Sequence, residues 1–564
     1  MADRADAWWC RLHPAWVGLV GVALYLPTMT YGYVEYDDPW LVRDNHLLAN
    51  PSLESIWLVL TDFSWEQRHR LGAEYLPVRD LSVMLDRAVF GDWVGGLHLT
   101  QVLLFGICCA LAATLTLAKF ENRAMAWLTG VFFATHPVHI EAVAWLSERK
   151  GLLGAVFVFA SLLCSISYLR APGWGRALSA WLLFMLAVAA KAVTIASAGA
   201  LILIVLWRHS SVSREKKLML VAGYAAFGLL AFIPYLLVAR SFGVVAPDGG
   251  PGLPSSLLLF FQAHTQYLKL MSFAGPYAIR YGIDSEPVTW ASCLPGALAA
   301  AGALALVVWA ILVRSARGAA IFGLAWWLVF LAPVSHLFAA VQNAAADRYV
   351  FIPSFGLLLA LAAVVVGAPR ALAWVLGIVV LVVGSAWTLI QMPTWASSER
   401  LFENAVAVAP RSAVAWDQLA LLAAENGEAE LAWRYTERGL THSPRDWRLL
   451  HRQGLLLASR GQLDAAIRTM SEAATTPEAH LAYANLALLY LRRGDDERAL
   501  RAAEDAVRFQ PQTAHNQRVL GIVADRLGDE QRACRAFERA YALNPYDDAN
   551  VDNLQRCRRD GKEL

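Results

Sequence analysis

Charge of either sign is thin in this chain, and it nearly cancels. Lys and Arg number 48 against 46 Asp and Glu in 564 residues, a net of +2, which excludes the strong basic footprint of a nucleic-acid partner. Cysteine is as sparse. Its seven residues show no C-x-x-C spacing, so they indicate neither a zinc site nor a disulfide framework. A cleavage signal is missing too: the first apolar run, Trp16 to Val34, follows Arg4 and Arg11 but meets no small-residue site before a polar loop. It reads as a retained first helix rather than a signal peptide. No inverted repeat is evident, which weakens a transporter reading.

What is present is apolar, at 57% of residues, and unevenly placed. Residues 16 to 390 carry repeated apolar stretches of about 18 to 22, enough to cross a ~30 Å hydrocarbon layer. After Pro393 the text changes to Ala, Arg, Glu and Leu without a spanning run. The expected fold is all-α: a polytopic membrane domain over 1–393, then a soluble helical domain over 394–564.

Eleven spans are expected, near 16–34, 97–118, 124–142, 151–169, 177–190, 192–207, 218–240, 295–313, 318–333, 349–367 and 371–390. With Arg4 and Arg11 inside, the loop 35–96 falls outside. Lys119 and Arg123, Arg170 and Arg176, Arg208 to Lys217, Arg314, Arg317 and Arg370 then all fall inside, as the positive-inside rule requires. The run 177–207 is broken only by Lys191. As one helix it would reach roughly 46 Å, too long for one crossing, so two short helices meeting at Lys191 on the outer face fit better. The stretch 255–274 contains Gln262, His264, Gln266 and Lys269 and reads as an interfacial or re-entrant helix. An odd number of spans puts the C-terminal domain outside.

That domain is periodic. Pro410, Pro444, Pro477, Pro511 and Pro545 recur at intervals of 34, 33, 34 and 34, and Gly427, Gly461, Gly494 and Gly528 follow the same period, as do Ala432, Ala466, Ala499 and Ala533. A small residue where two helices touch, a Gly turn and a closing Pro match tetratricopeptide repeats. About four complete repeats occupy 411–545, with a half-repeat at 398–410. Such solenoids present a concave surface to extended peptides, although a spacer or dimerisation arm is the plainer alternative.

The candidate chemistry lies near the outer face. Asp37 and Asp38, in Tyr36-Asp37-Asp38-Pro39-Trp40, place paired carboxylates at a membrane boundary, where ionisable groups are functional candidates. A helix cap or Asp-Pro turn is the competing reading. Tyr75 to Asp80, with Arg79, lies in the same loop, and His98 opens the next span. His136-Pro137-Val138-His139-Ile140-Glu141 follows, then Glu148, Arg149 and Lys150. Two His and a Glu suggest a metal site, but Pro137 breaks their helical spacing, so no divalent metal is expected. Lys191, Arg280-Tyr281 with Asp284, and Asp347-Arg348-Tyr349 complete the set. Arg grips phosphate by forked hydrogen bonds and Lys as a point charge, so acids and cations on one face fit a reaction on an anionic lipid.

The order of these motifs resembles one family: an acidic pair after the first helix, His136-Pro137-Val138-His139-x-Glu141-Ala142-Val143-Ala144-Trp145, Arg348-Tyr349-x-x-x-Pro353-Ser354, then the repeats. It is similar to the transmembrane and tetratricopeptide repeat-containing O-mannosyltransferases of the GT-C superfamily. The resemblance implies inverting transfer of a sugar, mannose, from a polyprenyl-phosphate carrier to a Ser or Thr hydroxyl of a polypeptide, with no other cofactor. By resemblance Asp37 or Asp38 is the general base, with Asp37 favoured. Arg79, Lys191 and Arg348 are carrier-phosphate ligands, and His98, His136, His139, Glu141 and Tyr349 complete the substrate site. The chain departs from the family at Leu76-Pro77-Val78, at Ala192 after Lys191, and at Phe105, which bears on donor identity. Its Arg- and Ala-rich text looks bacterial, implying an inner membrane with periplasmic repeats; in a eukaryote the repeats would be in the endoplasmic reticulum lumen. A non-catalytic membrane-anchored scaffold is the alternative.

Overall fold

The computed structural model describes residues 13–207, 212–242, 253–273, 275–284, 289–313, 318–337, 343–475 and 479–559. Arg4, Arg11, Arg208, Arg314 and Arg317 of the charge argument, and Pro477 of the repeat, lie outside them. The described residues are helical with no strand. The chain divides into two compact units, 1–401 and 402–564. The division falls inside the helix Ser398–Val408 rather than at the expected residue 393.

In the first unit every expected span falls on a helical segment, but lengths differ. Four helices are long and apolar enough to cross a membrane: Val94–Phe120, Leu146–Arg170, Arg214–Ser241 and Ala371–Trp395. Six further apolar helices are shorter, Pro14–Thr30, Trp174–Ala190, Ala192–Leu206, Trp290–Ala305, Gly318–Val334 and Phe351–Gly367. The expected span 124–142 is corrected. Its helix, Arg123–Thr135, stops before His136-Pro137, because proline lacks a donor and forces the preceding residue into extended backbone. The break at Lys191 falls as expected: Trp174–Ala190 ends there, Lys191 is extended, and a short turn leads into Ser197–Trp207. Residues 253–271 form a separate helix that does not qualify as a span.

Small residues allow close packing where apolar solvent offers no hydrophobic drive. A Cβ at Gly18 would lie 2.6 Å from the Gly106 carbonyl oxygen, so these helices meet backbone to backbone. The helix Arg370–Gln391 turns Trp374, Val375, Ile378 and Val382 outward, an exposed apolar face expected only against lipid or a partner.

The second unit stacks four helix pairs: Ala413–Glu425 with Ala429–His442, Trp447–Ser459 with Leu463–Ala473, His480–Arg493 with Asp496–Phe509, and Ala514–Arg526 with Glu530–Leu543. Gly427, Gly461, Gly494 and Gly528 all turn with φ between 76° and 82°, the left-handed geometry that favours glycine after a helix. Ala432, Ala466, Ala499 and Ala533 are fully buried where the paired helices touch. A last helix, Asp548–Arg559, is joined to Glu530–Leu543 by a Cys534–Cys557 disulfide. Widely spaced cysteines had indicated no disulfide framework, and this is a single staple across one helix pair.

Candidate functional site

After the first apolar helix the chain becomes extended at Tyr31 and enters a wide turn, Pro39–Arg43, headed by Asp38. Asp38 does not cap that turn. Its carboxylate accepts from the Val34 N–H at 3.0 Å, the Ser147 N–H at 2.9 Å and the Ser147 hydroxyl. It thereby ties the loop after the first apolar helix to the segment before helix Arg149–Arg170. Burial pushes its carboxyl up to about 6, against the pull of those donors. Asp37 is held differently. It is half-buried and engages the Trp40 side chain. Burial raises its carboxyl, while Lys150 and Arg348 draw it back down.

Lys150 and Arg348 are the cations that act on Asp37, and they belong to a set of cations each paired with an acid. Arg348 pairs with Glu141, whose other oxygen accepts the Arg348 backbone N–H at 3.1 Å. Lys191 pairs with Glu148. Gly151, one turn beyond Glu148, makes room: a Cβ there would meet Glu148 Oε1 at 2.6 Å and Lys191 Nζ at 3.3 Å. Lys150 and Arg79 share Glu74 Oε2, at 2.8 and 3.0 Å. Burial works to raise the Glu74 carboxyl, but these two cations outweigh it and hold it below its ordinary value. Arg79, Lys150, Lys191 and Arg348 thus balance Glu74, Asp80, Glu141 and Glu148, with Asp37 an additional negative charge.

Aromatic rings line the same region. The Arg348 guanidinium lies 5.4 Å from the Trp145 ring and 4.9 Å from the Tyr349 ring. Tyr36 lies 5.9 Å and Trp395 6.0 Å from Trp145. Gln101 donates to the Trp145 carbonyl at 2.9 Å and fixes that segment. Arg280 donates to Tyr36 and to Asn343, both at 2.5 Å.

The sequence-proposed residues therefore separate. Glu141, Arg348 and Tyr349 are in direct contact and Arg348 acts on the Asp37 carboxyl, whereas Lys191 is held by Glu148 and Asp38 by Val34 and Ser147. Arg79 is nearby, but its guanidinium is occupied by Glu74, Asp80 at 2.8 Å and the Leu71 carbonyl at 2.6 Å. His98 is buried with Nε2 3.4 Å from the Gly32 carbonyl. His136 caps the Pro137–His139 turn by accepting the Val138 N–H at 3.2 Å, and its Nε2 lies 3.3 Å from the Met271 carbonyl. His139 bridges the Phe133 carbonyl at 2.7 Å and the Ser354 hydroxyl at 2.8 Å. These three histidines hold backbone in place. Among the described residues no group of three or more His, Cys, Asp or Glu is placed to hold a metal ion. Sequence reasoning missed Glu74, Ser147 and the partnerships of Glu148 and Lys150. Glu74 beside Tyr75, and the Glu148-Arg149-Lys150 run expected on the outer side, were the available signals.

No family model matches this chain. Mouse protein O-mannosyl-transferase TMTC2 is 30% identical over 166 residues, 29% of this chain and 20% of that protein. Mouse protein O-mannosyl-transferase TMTC1 is 29% identical over 153 residues, covering 26% and 16%. Drosophila melanogaster protein O-mannosyl-transferase Tmtc1 is 30% identical over 190 residues, covering 32% and 21%. The match thus spans about a fifth of the length of these curated relatives. Among solved structures, Pseudomonas aeruginosa pilF gives a TM-score of 0.26 at 18% identity over 29% of this chain and 76% of that one. MamA from Desulfovibrio magneticus RS-1 gives 0.23 at 22% identity over 27% and 86%. Likeness at that level carries no functional argument.

Proposed function

We propose that the chain is an integral-membrane inverting glycosyltransferase that moves a sugar, mannose by similarity to the O-mannosyl-transferases, from a polyprenyl-phosphate carrier to a Ser or Thr hydroxyl of a polypeptide. The observation that carries this reading is the contrast between the two aspartates. Asp38 is filled by three donors, while Asp37 sits among cations. A carboxylate within reach of a hydroxyl takes its proton as attack proceeds. The hydroxyl oxygen bonds to the anomeric carbon from the face opposite the carrier, and the bond from that carbon to the phosphate oxygen breaks. The transition state is oxocarbenium-like, and the departing phosphate carries the electron pair away as an anion. Arg348 and Lys191 would receive that charge, exchanging Glu141 and Glu148 for phosphate oxygens.

The proposed setting is a bacterial inner membrane crossed about eleven times, with the site and the repeats on the periplasmic side. The Cys534–Cys557 bond supports that placement, since disulfides persist in oxidising compartments. The polypeptide acceptor would be presented by the repeats. A membrane-anchored scaffold is the second reading, favoured by the internal saturation of Arg79, His136 and His139. To separate them, purified protein is incubated with polyprenyl-phosphate mannose and a Ser/Thr-rich peptide pool, and mannosylated peptide is measured beside Lys191→Met and Arg348→Met. The transferase reading predicts product from wild type and a large loss in both variants. Absence of product with mannose and every other lipid-linked sugar leaves the scaffold.

A further inference from the structure

The connecting segment 275–281, conspicuous in the sequence for Arg280 and Tyr281, has no part in the proposed chemistry, yet it packs like core. Tyr277, Ala278, Ile279 and Tyr281 are all buried, where a connecting segment ordinarily runs over the surface. The Tyr277 hydroxyl donates to the Leu270 carbonyl at 2.7 Å, and the Ala278 N–H donates to the Tyr281 hydroxyl at 3.2 Å. These bonds fix the segment on the helix Leu253–Met271 that precedes it.

From there it grips two distant parts of the chain. One arm of the Arg280 guanidinium donates to the Tyr36 hydroxyl and the other to the Asn343 side-chain oxygen, both at 2.5 Å. Its neighbour Tyr281 donates to the Asp347 carboxylate. Tyr36 precedes Asp37, and Asp347 precedes Arg348, so two adjacent residues hold the segments that carry the proposed base and a proposed phosphate ligand. The contacts close into a ring. One path runs from Arg280 over the Tyr36 ring, 5.8 Å to its centre, then 5.9 Å to the Trp145 ring, which lies 5.4 Å from the Arg348 guanidinium. The other runs through buried Asn343 and along the chain to Arg348. Moving either segment alone strains both paths. A planar fork suits this position, because it presents two donors in fixed directions where a lysine presents a single point.

We infer that Arg280 is a positioning residue, whose forked bonds to Tyr36 and Asn343 clamp the Asp37 segment and the Arg348 segment at a fixed separation. The clamp itself is independent of the chemistry, but its consequence rests on the transferase reading. With that separation fixed, the hydroxyl that Asp37 deprotonates and the carrier phosphate that Arg348 receives stand on opposite sides of the anomeric carbon, and rate falls steeply when reacting groups are misplaced. Arg280 acts through its two partners and does not itself meet the substrate.

The test uses the full chain in lipid nanodiscs, with Arg280→Lys, Tyr36→Phe, Asn343→Leu and Asn343→Asp beside wild type. Backbone hydrogen exchange, read by mass spectrometry, needs no substrate. The first three variants should speed exchange about five- to tenfold, the scale of one lost hydrogen bond, in 31–38 and 343–349 together, with helix Val94–Phe120 unchanged. Asn343→Asp keeps the acceptor and should stay near wild type. Tyr36→Phe removes a single hydroxyl, which guards against a folding effect. In single-turnover transfer from polyprenyl-phosphate mannose, Arg280→Lys and Tyr36→Phe should each lose about ten- to hundredfold in rate while donor affinity stays within about twofold. Exchange at the wild-type level, or raised in only one of the two segments, overturns the clamp whatever the transfer assay gives. Exchange raised in both with an unchanged rate, or a loss carried by donor affinity, overturns the positioning role. If exchange rises in both but wild type transfers no lipid-linked sugar, the transferase reading falls and the clamp stands.

Discussion

Ion pairs in the two units use the same residue types in opposite surroundings. In the membrane unit Glu141 is 0% and Arg348 10% exposed; on the repeats Glu497 is 80% and Arg501 58% exposed. A solvated pair of the second kind contributes about 0–1 kcal/mol and is screened by salt. A buried pair is not efficient as a stabiliser, yet removing one partner costs about 3–5 kcal/mol because the other charge is stranded. The repeats can exchange such pairs freely, whereas the membrane unit is committed to Glu141–Arg348, Glu148–Lys191 and the Glu74 cluster. Our hypothesis is that an anionic substrate uses that commitment, since only poorly hydrated cations act strongly on a leaving phosphate.

The comparison breaks first if Glu141→Gln is mild. It is expected to cost about 3–5 kcal/mol, read as a drop in unfolding temperature of the purified protein, with Arg348→Met in the same chain recovering much of it. An unshifted Tm would place that pair in solvent-like surroundings. Next is the staple on the repeats. Cys534→Ser should destabilise this unit by about 2–4 kcal/mol, seen as faster limited proteolysis within 402–564. Reductant should reproduce the effect in wild type and add nothing in the variant.

Asp38 gives a smaller, pH-dependent effect. Its folded-state carboxyl lies near 6, above its ordinary 3.8, so the folded form binds the extra proton between those values. Its ionisation therefore opposes folding above about pH 6, and stability from this group rises as pH falls toward 3.8, by at most about 3 kcal/mol. The difference in Tm between wild type and Asp38→Asn across that window isolates it, and a flat difference would contradict the buried placement. The smallest effect is Glu497→Ala, expected within about 0.5 kcal/mol of wild type.

How far the sequence foretold these features follows from the range of the physics. The helix pairs of the second unit were legible because Ala432 and its periodic counterparts, with the Gly turns, act within one repeat. The break at Lys191 was legible because a charge interrupts an overlong apolar run. Asp37 and Asp38 were legible as an acidic pair, but the difference in what holds them was not. It depends on Ser147, more than a hundred residues away in sequence. Glu148 with Lys191 and Glu141 with Arg348 are also non-local pairs, 43 and 207 residues apart. The His136–Glu141 motif drew attention for its chemistry, yet its histidines bond to carbonyls of Phe133 and Met271, acceptors that carry no signature in the side-chain text. Cys534 and Cys557 lie 23 residues apart without a recognisable spacing, and only the packing of the last two helices brings them together.

The most direct test of the central claim is single-turnover transfer from polyprenyl-phosphate mannose by Asp37→Asn and Asp38→Asn beside wild type, with donor binding measured in parallel. If Asp37 is the base, Asp37→Asn loses about 10²–10⁴-fold in rate while still binding donor, and the wild-type rate falls as acid protonates that carboxylate. An Asp37→Asn protein that transfers sugar at the wild-type rate would contradict the account.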